Sequence, residues 1–191
     1  MKTIGAAFVL AGVLAAAHVP AAAAWLTLNE REQHQAVVVG QRSVTSETFG
    51  GEWRVVHGSG ESVEVVTPFH RLALAARNAA FKNEPLKPQD QEKLLVELKD
   101  RLMLWVYLVG SSEQFARHFS PRLLVDDREI EPVLVQNERT AIRQENGRFL
   151  ARCVYWFPTK DLTGTSHPVL VVRDVEGQPV TRFAIDLARM R

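Results

Sequence analysis

Cys153 is the only cysteine in the chain, so no disulfide can form within it. Its neighbours alternate along an apolar run, which places it on a buried strand face as an inert thiol. A reactive cysteine needs an exposed, electropositive setting. Excess charge is also lacking. Twenty-three basic side chains stand against 22 acidic ones, which argues against nucleic acid as a partner and leaves little field for steering charged ligands. No CxxC or HExxH is present. Beyond the N-terminal leader, His34, His57, His70, His118 and His167 stand at no metal-binding interval, so neither a metal nor a cofactor is expected. A nucleophile elbow of the G-x-S-x-G kind is missing too. His57-Gly58-Ser59-Gly60 has a serine near a histidine, but it reads first as a hairpin turn. Asp126-Asp127 with Glu129 lacks the glycine and the regular acid spacing of a calcium loop. There is no internal repeat and no low-complexity segment.

What is present begins with a leader. Lys2 is the only charge before Trp25, Ile4 to Ala17 is apolar, and Ala22-Ala23-Ala24 supplies small residues at a cleavage position. Residues 1–24 therefore read as a secretory signal peptide, shorter in its apolar run than the roughly 20 residues of a membrane span. The expected location is extracytoplasmic, in the periplasm or secreted. Removing the leader leaves 167 residues with 22 basic and 22 acidic side chains, the size of one domain. No second long apolar stretch follows, so no membrane span is expected in the remainder.

Residues 101–110 read Arg-Leu-Met-Leu-Trp-Val-Tyr-Leu-Val-Gly. As a strand this run puts Leu102, Leu104, Val106 and Leu108 on one face and Met103, Trp105, Tyr107 and Val109 on the other. With both faces apolar, it is expected in the middle of a sheet covered on both sides. A rival reading carries a helix through it, because Leu94, Leu98, Leu102 and Trp105 keep helical spacing. The β-propensity of Val106 to Val109 favours the strand, with a break near Asp100.

Around this run the chain divides into a mixed part, 25–100, and a mainly β part, 101–191. Asn29 with Glu30 and Glu32 caps a short helix to about Gly40, although Val37-Val38-Val39 would equally suit a strand. Trp53 to His57 and Ser62 to Val66 form a hairpin about Gly58-Ser59-Gly60. Thr67-Pro68 opens a helix whose Phe69, Leu72, Ala73, Ala76, Ala79 and Ala80 share a face suited to lying against a sheet. Pro88 starts another helix to about Lys99, with Leu94, Leu95 and Leu98 as its buried stripe. Ser111 can cap a helical turn from Glu113 to His118. Strands follow at Arg122 to Val125, Ile130 to Val135, Phe149 to Phe157, Val169 to Val172 and Val180 to Leu187. The expected fold is α+β, an antiparallel β-sandwich of immunoglobulin-like pattern with two or three helices in the N-terminal half packed on the sheet.

Two surfaces are candidates for recognition. One is the polar side of the Thr67-Pro68 helix, with His70 and Arg77 joined by the apolar Leu74 and Phe81. The other is the loop around Arg139 and Arg143. These features fit an exported non-catalytic protein that binds another protein or an envelope component. A small-ligand carrier with a pocket near His70, Trp105 and Tyr107 is the alternative, and a hydrolase using His57 or His70 as base is a third reading.

Overall fold

The computed structural model describes Ala24 and residues 26–191. The expected leader lies outside the described residues apart from Ala24. Ala24 is buried and directs its backbone N–H at the carbonyls of Leu187 and Gly164, 2.8 and 3.0 Å away.

Among the described residues, three α-helices and two antiparallel sheets make an α+β structure that is mostly sheet. Helix α1 spans Glu30–Arg42. The Asn29 side chain accepts from the Glu32 N–H, and the Glu32 carboxylate accepts from the Asn29 N–H. This reciprocal cap carries the valine triplet into the helix. Helix α2 spans Pro68–Phe81, with Thr67 Oγ1 accepting from the His70 N–H at 3.1 Å. Its small-residue face meets α1 most closely, while Phe69, Leu72 and Ala73 also join the core shared with the sheets. A Cβ added at Gly40 would stand 2.1 Å from the Ala73 carbonyl oxygen and 2.9 Å from the Ala76 Cβ. Small residues allow any close neighbour, and here the neighbour is a helix. Helix α3, Pro88–Glu97, holds no buried residue. Leu94 and Leu95 of the expected stripe are only half-buried, and Leu98, just past the helix, is the one that inserts. Asp100 then takes a left-handed φ of 59°, which stops helical propagation and begins the strand.

The larger sheet has the order β1 (Arg54–Val56), β2 (Ser62–Val66), β3 (Arg101–Gly110), β8 (Phe149–Pro158), β6 (Leu134–Gln136), with β7 (Ile142–Arg143) also on β8. The smaller has the order β10 (Pro179–Ala184), β9 (Val169–Arg173), β4 (Ser120–Val125), β5 (Arg128–Ile130). Trp53, expected at the start of the first strand, closes a one-turn 3-10 helix from Gly51 instead. The run from Ile130 to Val135 does not form one strand. Pro132 has no N–H to give to a ladder, and the two halves go to different sheets.

Leu102, Leu104, Val106 and Leu108 are fully buried, as are Val63, Val65, Ala151, Tyr155 and Phe157 beside them. They share one core with Leu123, Leu170, Val172 and Phe183 of the smaller sheet. Such side chains contribute roughly 1.5–3 kcal/mol each before chain entropy is subtracted. Cys153 lies in this core, 1% exposed, and burial pushes its thiol pKa up.

The opposite face of β3 departs from expectation. Met103 is buried by Val66 and Leu98, but Trp105, Tyr107 and Val109 are half-exposed. Helices α1 and α2 pack on each other and α2 meets the sheet at β2, with His70 reaching Trp105, so this face is covered only in part. No helix among the described residues is long and apolar enough to cross a membrane.

Candidate functional site

The outer face of the larger sheet follows from register. Alternation puts Glu64 and Ser62 of β2 outward, opposite Trp105 and Tyr107 of β3. Beyond them stand Val154 and Arg152 of β8, and Trp156 lies opposite Met103. Three aromatic rings, half-exposed, thus share a face with arginines. The guanidinium of Arg54 lies 6.0 Å from the Tyr107 ring centre, and that of Arg101 lies 5.7 Å from the Trp156 ring centre. The smaller sheet presents the reverse character. Glu129 takes both Arg173 guanidinium nitrogens, at 3.0 and 2.9 Å, and Arg122 Nε at 3.1 Å. Val171, paired with Arg122 on one side and Arg182 on the other, is buried. That face is sealed by a polar ladder and the stems of its arginines.

At the β1–β2 end of the larger sheet, the first turns of α2 and the turn from Glu47 to Gly51 leave a cleft of about 450 Å³. Glu64 and Arg54 line it from the sheet, His70, Leu74 and Arg77 from α2, and Phe49 from the turn. The hairpin and the Thr67 cap put these groups together, since α2 starts one residue after β2 ends.

His70, expected on a solvated helix face, is only 1% exposed. Its ring stacks on Trp53 at 4.3 Å with 9° between planes, and meets Trp105 edge-on at 6.4 Å. Nδ1 lies 3.2 Å from the Val65 carbonyl oxygen. A carbonyl only accepts, so Nδ1 carries the hydrogen. Nε2 comes within 3.2 Å of Glu64 Oε1, but out of line for a hydrogen bond, and no other described group supplies one. Burial holds the His70 pKa down at about 4, with Arg71 acting the same way and the Val65 bond opposing. Burial also raises the Glu64 carboxyl above its ordinary value, against the pull of Arg54. Both environments disfavour charge, and the imidazole is neutral near pH 7.

Arg77 is a scaffold residue. Its Nε and Nη2 donate to the carbonyls of Ser43 and Ser46, each at 3.1 Å, and its guanidinium lies 4.9 Å from the Phe49 ring centre. Leu74 is a half-buried wall of the same cleft. Phe81 sits at the far end of α2, 75% exposed and outside the cleft. Arg139 and Arg143 are exposed beside β6 and on β7, across the sheet from His70. Three of the six candidate residues therefore come together, and the others do not join them.

Glu64 and Arg54 of the same cleft are not among the residues that the sequence singles out. The alternation of Val63 and Val65 with Ser62, Glu64 and Val66 was the signal that would have found Glu64. The serine and histidine of the hairpin take separate partners. Ser59 Oγ donates to Glu61, while His57 packs edge-on against Phe183. No group of three or more His, Cys, Asp or Glu side chains among the described residues is placed to hold a metal. Comparison of the chain with protein-family models, curated proteins and solved structures finds no match.

Proposed function

We propose that this is an exported, non-catalytic recognition protein that docks a protein partner on the outer face of its larger sheet. The carrying observation is the composition of that face, with Trp105, Tyr107 and Trp156 half-exposed among Arg54, Arg101 and Arg152. Trp, Tyr and Arg are the residues in which binding energy concentrates at protein interfaces. The smaller sheet supports the reading by contrast, because its outer face closes on itself with ion pairs and asks for no partner. Export rests on the leader pattern of residues 1–24. We read the two sheets as an open sandwich, and its immunoglobulin-like character rests on the pattern of short antiparallel strands alone.

Site-specific photo-crosslinking in the producing cells tests this. A photoreactive residue at Tyr107 should give one dominant protein adduct, absent when the same residue replaces Arg182 on the other sheet. Identical adducts from both positions, or none from Tyr107, would refute the docking face. The small-molecule reading is favoured by a different observation, the cleft at His70.

A further inference from the structure

We propose that the cleft between α2 and the Glu47–Gly51 turn is a second site, which binds a small zwitterion of amino-acid type. Its ammonium would donate to His70 Nε2 and the Glu64 carboxylate from the cleft side, and its carboxylate would lie on Arg54. The inference does not depend on the docking face. It starts from a mismatch inside the protein. With its hydrogen committed to the Val65 carbonyl, neutral His70 offers only a lone pair at Nε2. A carboxyl oxygen of Glu64 lies 3.2 Å away and misaligned. When Glu64 is ionised, two acceptors face each other with no donor between them. A buried acceptor without a donor is disfavoured, and one N–H-rich cation satisfies both.

The rest of the cleft selects what carries that cation. At about 450 Å³ it is far larger than one water requires. Phe49 and Leu74 give it an apolar wall. Arg77 has turned its Nε and Nη2 toward the carbonyls of Ser43 and Ser46, which leaves exposed Arg54 as the guanidinium for an incoming carboxylate. Arg54 uses Nη2 on Ser62 Oγ at 3.1 Å, a bond that steadies the side chain. A cation pocket at depth, a guanidinium at the rim and an apolar wall match an amino acid's three parts.

The test is nuclear magnetic resonance of the isotopically labelled chain, following the His70 ring during titration with leucine, lysine and glutamate. At least one should give saturable shifts at His70 and Glu64. The matching amine without the carboxylate, and the matching acid without the amine, should each bind at least about tenfold more weakly, as loss of a charged hydrogen-bond partner implies. Arg54→Gln, at an exposed position, should weaken binding to a similar degree with the fold intact by amide spectrum. Glu64→Gln provides a second reading at the ammonium end. The proposal is overturned if none of the three amino acids gives saturable shifts at His70, or if the acid alone binds as tightly as its parent.

Discussion

Replacing His70 by phenylalanine isolates the acid sensitivity of the fold. The ring of His70 is held at a pKa of about 4, chiefly by burial, while an unfolded chain would titrate it near 6.5. The folded value is the lower one, so the unfolded state takes up the proton first as pH falls. Stability from this residue is complete above pH 6.5 and drains between 6.5 and about 4. By linkage the loss is about 2 kcal/mol at pH 5 and about 3 kcal/mol near pH 4. Glu64 acts in the opposite direction. Its raised pKa means that the folded state gains protons above the ordinary carboxyl range, which offsets part of the loss in acid. The clean measurement is therefore a difference in the Glu64→Gln background, with and without His70→Phe. Phenylalanine keeps an aromatic ring against Trp53 and cannot titrate. Urea unfolding followed by tryptophan fluorescence at pH 7, 6 and 5 should show the stability difference moving by about 2 kcal/mol in favour of the phenylalanine protein as pH falls to 5. Curves that run parallel from pH 7 to 5 would refute the buried neutral imidazole.

Three further outcomes are expected. Gly40→Ala should destabilise by about 1–3 kcal/mol in urea, despite alanine's helical advantage, because its Cβ would strike the backbone of Ala73. Thr67→Val removes a hydroxyl that caps α2 and donates to the Arg191 carbonyl at 2.5 Å, with a loss of about 1–2 kcal/mol read from the same unfolding curves. Arg77→Ala should release the turn from Ser43 to Phe49, seen as faster amide hydrogen exchange there while β3 amides stay protected.

Much of this architecture was legible because local signals agreed with each other. The Thr67-Pro68 cap, the glycine-bearing turn before Ser62, and the alternation of Phe149 to Phe157 all led to the observed elements. Residues 102 to 108 form a strand, since β-branched and aromatic side chains outweigh the helical spacing of Leu94, Leu98 and Leu102, and Asp100 breaks the chain between them. Pro132 is a breaker within the run from Ile130 to Val135. What periodicity does not contain is the identity of a neighbour. The alanines of α2 announced close approach, but only the fold says that α1 supplies it. The same limit explains His70. A helical wheel puts it beside Arg71 and Arg77, whereas Trp53 and Trp105 enclose it from elements whose arrival no local pattern announces. The half-open face of β3 is also a tertiary outcome, because an apolar strand reads alike whether a second layer reaches it or stops short.

The sealed position of Cys153 has a consequence for where the chain can mature. Its sulfur is packed in the core opposite Val106 and 1% exposed, and no crosslink contributes to holding the sheets together. Folding is therefore indifferent to the thiol–disulfide balance of its surroundings. A chain that matures in a reducing cytoplasm and one that matures beyond a membrane should reach the same structure, with no oxidase or isomerase on the route.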